Sequence, residues 1–153
     1  MFTHGNSIIA NNNVTDPADA IAIGLAKVLE EAHGSKLVMP PATVNTDDAA
    51  QISANVNGAA RFVIDAQTIS WGLSFFPTDW GHYRVIYAAK ARLIDVQTKT
   101  VIAEGSCKRI PENNMNAPTY DELLANEASL LKKELAAAAS ECVKTLKAEM
   151  LSL

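Results

Sequence analysis

Across 153 residues the sequence has two cysteines and seven glycines, and it has neither a basic excess nor a long apolar run. Each shortage closes a class of function. No stretch approaches the roughly 18 apolar residues of a membrane span, so no transmembrane segment is expected. The opening residues show no charged-then-apolar leader and are rich in Asn, which suits the start of a mature secreted chain or a frayed cytosolic terminus. Lys and Arg number 13 against 17 Asp and Glu, a net charge of −4. Their longest runs are the pairs Lys108-Arg109 and Lys132-Lys133, so no surface is laid out to track phosphates and nucleic acid is not expected as a partner. The glycines form no phosphate cradle. Gly105-Ser106-Cys107 lacks the second glycine of a nucleophile elbow. His4, His33 and His82 lie far apart and share no metal-ligand spacing with each other or with a cysteine. No catalytic, cofactor-binding or metal-binding residue is nominated, and only a site assembled in space stays open.

What is present is a globular composition, 48% hydrophobic and 20% charged, at the length of one domain spanning residues 1–153. Asp16 and Pro17 have the form of a helix cap and first position. Ile21, Leu25, Val28, Leu29 and Ala32 then make one apolar stripe, closed by His33 and Gly34. Ser7 to Ala10 before this helix and Lys36 to Met39 after it read as short strands, the grammar of a parallel crossover. Thr46 with Asp47 and Asp48 opens a shorter helix ending near Gly58. Asp47-Asp48 and Glu30-Glu31 read as helix-start and solvated-face charges.

The period then changes to two. Tyr83, Val85, Tyr87, Ala89, Ala91 and Leu93 alternate with His82, Arg84, Lys90 and Arg92, giving a strand with one dry face. Segments 61–73 and 100–109 flank it, so an antiparallel three-strand meander is expected. Asp65 interrupts an apolar strand and is expected to pair with Arg84 or Arg92 or to face solvent. Thr119 and Glu122 have capping-box spacing. The helix they open carries a stripe from Leu124 through Ala128, Leu131, Leu135, Ala138, Cys142 and Leu146 to Met150. The expected fold is α+β, in the order β-α-β-α-β-β-β-α: a mixed sheet with the long C-terminal helix packed on it.

Cys107 near the end of the last strand and Cys142 on the helix stripe meet if that helix crosses the sheet. A disulfide between them would imply an oxidising compartment; two separate buried thiols are the alternative. The segment from Trp71 to Tyr83 holds five of the chain's nine aromatic residues. Pro77, Thr78, Asp79 and Gly81 place a turn within it, so Trp71, Phe75, Phe76, Trp80 and Tyr83 are the candidate interaction residues. Either the rings fold back over the end of the core or they contact a protein partner or a bilayer surface.

The opening strand, the Asp16-Pro17 helix, the second strand, the Gly58-Ala59-Ala60-Arg61 lead-in and the meander resemble a bacterial envelope lipoprotein-type domain. That group includes the amino-terminal domain of the Tol-system translocation protein and the curli-secretion lipoprotein. The turn Asp95-Val96-Gln97-Thr98 is similar to the Asp-x-x-Thr turn that follows the corresponding strand there. The resemblance implies a periplasmic or outer-membrane-associated, non-enzymatic protein that works through protein contacts, by a partner or by self-association. Peripheral membrane or lipid-anchor attachment is left open, because the group's lipid-bearing cysteine has no counterpart among the two here. Two alternatives stand beside this expectation. One is a small-molecule-binding or enzymatic domain with a pocket near the aromatic segment 71–83, and the other is a cytoplasmic protein with reduced thiols.

Overall fold

The computed structural model describes residues 2–38, 42, 44–56 and 58–153, with side chains described from residue 7 onward. The elements run α1 (Phe2–Asn12), α2 (Pro17–His33), α3 (Ala49–Val56), β1 (Phe62–Phe76), β2 (Asp79–Asp95), β3 (Thr100–Arg109) and α4 (Tyr120–Leu151). The fold is α+β: an antiparallel sheet in the order β1-β2-β3 with a long C-terminal helix and shorter helices.

Local chemistry accounts for most boundaries. Asp16 caps α2 by accepting from the Ala18 amide at 3.0 Å, Pro17 starts the helix, and Gly34 ends it at φ 66°. At α4 the Thr119 hydroxyl accepts from the Glu122 amide while the Glu122 carboxylate accepts from the Thr119 amide, so the capping box closes in both directions. The β2–β3 turn is built by Asp95, whose Oδ1 accepts from the amides of Gln97 and Thr98. Lys99 then turns at φ 58°. Arg61 grips the same carboxylate at 3.1 Å.

Three departures from the sequence reading have physical causes. Ser7 to Ala10 lies within α1 rather than in a strand. A four-residue apolar run does not distinguish strand from buried helix, and here Ile8 joins the core. Lys36, Leu37 and Val38 lie in no strand, and Met39, the last residue of that expected strand, falls outside the described residues. The sheet among the described residues is therefore the antiparallel meander alone. Last, α4 is not continuous: Ala125 is extended, and Asn126, Glu127 and Ala128 are left-handed at φ 54°, 58° and 58°. Leu123 and Ala128 are both fully buried. Five residues apart on an unbroken helix, they would point about 140° from each other. The irregular turn resets the phase, so Leu123 is fully buried while Leu124 packs against the core only partly buried.

One face of the sheet carries the core. Val85, Tyr87, Ala89 and Ala91 of β2 pack against Ile21 and Leu25 of α2 and against Leu131, Leu135, Ala138 and Leu146 of α4. Two glycines allow the close approach. A methyl group on Gly24 would lie 2.7 Å from Val143 Cγ2 of α4, and one on Gly105 would lie 2.9 Å from Met150 Cγ. Cys107, two residues beyond Gly105 on the same face of β3, is bonded to Cys142 of α4 with the Cα atoms 5.4 Å apart. Two residues further, Arg109 bridges Glu134 and Glu141, each at 3.1 Å. Three alternate residues of β3 thus fasten the helix. A polar chain fastens α2: the buried Tyr87 hydroxyl donates to Thr68 Oγ1 at 2.8 Å, and that hydroxyl donates to the capping Asp16 at 2.6 Å. Burial pushes the Tyr87 phenol up to about 12.

Two outcomes follow from these contacts. Thiol labelling of unreduced, denatured protein finds no reactive cysteine. Reduction, which opens a 35-residue span, lowers stability by about 3–4 kcal/mol in denaturant titration; two labelled thiols per unreduced chain would contradict the bridge. The hydrogen bond from Arg61 holds the Asp95 carboxyl below its ordinary 3.8. A depressed folded value contributes stability above the unfolded one and loses it as pH falls through the folded one. Asp95→Asn therefore lowers stability at neutral pH and flattens the acid-induced loss below about pH 3.8, read from melting temperature against pH.

Candidate functional site

The antiparallel ladder carries β1 and β2 deep into the aromatic segment, leaving only Pro77 and Thr78 as the turn between the paired residues Phe76 and Asp79. β3 pairs with β2 only from Tyr87 onward, so the outer half of the hairpin projects past the third strand. The segment after β3 takes its place. The Tyr83 amide donates to the Pro118 carbonyl at 2.8 Å, and Arg84 Nη1 donates to the Pro111 carbonyl at 3.0 Å. At the tip, Asp79 Oδ2 receives His82 Nδ1 at 2.7 Å and Asn114 Nδ2 at 3.4 Å. The hydrogen bond from His82 is the main reason the Asp79 carboxyl is held below its ordinary value.

The five candidate aromatic residues divide between two environments. Phe76 is buried, 3% exposed, and lies 5.2 Å beneath the Arg84 guanidinium. Trp71 and Tyr83 are partly buried and pack on the core. Phe75 is 50% exposed and Trp80 is 75% exposed. The irregularity in the ladder between Phe75 and Phe76 lets two successive rings take opposite roles. Trp80 is held in place: its indole Nε1 donates to the Pro77 carbonyl at 3.1 Å, laying the ring across the turn. A row of rings runs from this exposed tip to the start of α4. Trp80 and Phe75 are 6.2 Å apart, Phe75 and Tyr83 6.5 Å, and Tyr83 and Tyr120 5.6 Å. Such tilted and edge-on pairs are favourable and fix the rings relative to one another. Met115, next to the Asn114 that reaches Asp79, adds an apolar side chain 74% exposed. Sequence reading missed Met115, which stands alone in a polar loop and carries no periodic signal.

The other singled-out residues fall into structural roles. Asp65 pairs with Arg92, whose Nη2 lies 2.6 Å and whose Nε lies 3.0 Å from Oδ2. His33 closes α2 and His82 serves Asp79. Among the described residues no group of three or more His, Cys, Asp or Glu is placed to hold a metal ion, and no helix is long and apolar enough to cross a membrane. A pocket does exist, but not beside the aromatic segment. A cavity of about 930 Å³ lies at the other end of the hairpin, lined by α2, segment 44–56 and the first half of β1. It was not legible because it depends on how three separated segments pack.

Fold and tip together define an α+β domain whose hairpin end exposes Phe75, Trp80 and the neighbouring Met115. Comparison with protein-family models finds none that matches the chain, and a search of the curated proteins finds no match.

The division among the rings has a direct consequence for stability. Phe76→Ser removes a buried ring and costs about 3–5 kcal/mol, seen as a steep fall in melting temperature. Trp80→Ser removes an exposed one and costs about 0.5 kcal/mol or less. Equal losses from the two variants would place Trp80 in the core.

Proposed function

We propose that this chain is a non-enzymatic protein of the bacterial cell envelope, periplasmic or outer-membrane-associated, that works by docking the tip of its β1–β2 hairpin onto another protein. The observation that carries this reading is Trp80, three-quarters exposed yet fixed by a hydrogen bond and by a neighbouring ring. An exposed indole that served only solubility would have no reason to be ordered. One that is ordered loses little rotamer freedom on binding and brings large apolar area, the character of an interface anchor. Phe75 and Met115 extend the apolar surface around it, while Asp79, His82 and Asn114 supply a polar rim. The Cys107–Cys142 disulfide supports an oxidising compartment, because such bonds persist outside the reducing cytosol. The resemblance to the envelope lipoprotein-type domain supports the same place.

The test combines a Phe75→Ser, Trp80→Ser double variant with a photoreactive side chain introduced at position 82. The double variant is expected to keep its melting temperature within a few degrees. In the otherwise unaltered protein, cross-linking in intact cells is expected to give one discrete protein adduct or a dimer. In the double variant that adduct falls about thirtyfold or more, the equivalent of about 2 kcal/mol at an aromatic anchor. Severe destabilisation with cross-linking unchanged would overturn the proposal.

A further inference from the structure

Among the described residues β1 is an edge strand, paired on one side only. The Val96 amide donates to the Arg61 carbonyl at 2.9 Å, which sets the phase of the ladder. Antiparallel pairing alternates, so Val63, Asp65 and Gln67 turn their backbone groups towards β2. Phe62, Ile64, Ala66 and Thr68 turn theirs outward, to the free edge. Among the described residues no other backbone hydrogen-bonds to that edge. Nor is it blunted in the usual ways: Phe62 to Thr68 has no Pro and no Lys, and the first irregularity of the strand comes after Thr68. Its one inward charge, Asp65, is neutralised by Arg92.

This edge opens into the 930 Å³ cavity, within the range of about 300–1,000 Å³ seen for ligand sites. Ala22, Ala26 and Leu29 of α2 form one apolar wall, and Ile52 and Val56 of α3 form the other. The charges on the lining are mainly negative. Among the described residues of the lining, Asp16, Asp19, Glu30 and Asp47 face one unpaired cation, Lys36, since Arg61 is held by Asp95. The outward backbone groups recur along a line every second residue, about 6.8 Å, a spacing that an extended main chain matches and a compact small molecule does not.

We propose that the free edge of β1 is a strand-addition site for an extended segment of another protein, about six or seven residues long, with alternating apolar side chains and flanking Lys or Arg. The guest's backbone pairs with Phe62, Ile64, Ala66 and Thr68, its apolar side chains enter between α2 and α3, and its cations meet the acidic lining. This site is separate from the hairpin tip and does not depend on it.

The probe is a panel of fluorescein-labelled, end-capped heptapeptides of the form Lys-X-Ser-X-Ser-X-Lys, with X as Val, Ile, Leu or Phe. Binding is read by anisotropy, and the edge is read by amide hydrogen exchange across residues 62–68. At least one member is expected to bind and to slow exchange at Phe62, Ile64, Ala66 and Thr68. Placing Pro at the central X, or Glu for both Lys, weakens binding tenfold or more. Asp19→Lys with Glu30→Lys weakens it about tenfold, while Trp80→Ser leaves it unchanged, which separates this site from the tip. Four results would each overturn the proposal: no binding by any member at millimolar concentration, binding without slowed exchange at the four amides, equal binding of the Pro-containing probe, or full protection of those amides in the free chain, meaning that its own backbone fills the edge.

Discussion

The seam between β3 and α4 is the constraint on which the rest of the structure depends. Gly105, Cys107 and Arg109 occupy alternate positions on one face of a ten-residue strand, and each meets α4 by a different kind of contact. Gly105 allows the helix to sit close, the disulfide fixes where along the helix the strand lies, and Arg109 fixes its far end by bridging two glutamates. A strand at the edge of a three-stranded sheet is held on one side only by hydrogen bonds, so this fastening also keeps the sheet intact. With α4 set, α2 follows, because Gly24 brings it against Val143. The chain from Tyr87 through Thr68 to Asp16 then ties the start of α2 back to the sheet.

This arrangement explains why the two ends of the hairpin differ. At the end near β3, β2 is buried under α2 and α4 and is central to the core. At the far end β3 has stopped, and residues 111–118 supply the missing partners with two carbonyls. A loop satisfies the Tyr83 amide and Arg84 but leaves Phe75 and Trp80 open to solvent.

Much of this was legible in the sequence, and what was legible shares one property: its signal is local. The Asp16-Pro17 start, the Thr119-Glu122 box, the Asp95 turn and the period-two run from Tyr83 each need only neighbouring residues to be recognised. The disulfide was legible as soon as the helix was expected to cross the sheet, because both cysteines lie on inward faces. The strand expected at Ser7 to Ala10 failed because four apolar residues do not define a period, and tertiary packing of Ile8 decided between helix and strand. The break at Ala125 to Ala128 was hidden by a stripe that reads as unbroken if Leu124 is counted inside. Phe76 looked like its neighbour Phe75, and only the irregularity in the ladder separates their fates. The cavity beside β1 had no sequence signal, since its walls come from residues as far apart in the chain as Asp16 and Leu93.

The tip and the open edge lie at opposite ends of the same strand, β1, and the energetics of the two surfaces differ in kind. In the docking proposed for the tip, binding strength would come from ring area and from pre-ordering, and so be largely insensitive to salt. At the edge, the backbone groups of Phe62 to Thr68 give length and direction but little discrimination, because every peptide carries the same main chain. Selectivity there rests on the apolar walls and on the acidic lining, and the charged part of it weakens as salt is added. A protein with both surfaces can hold one partner firmly by the aromatic tip while sampling extended segments at the edge. The β3–α4 seam leaves both free, because it fastens the opposite side of the sheet and draws no residue from β1.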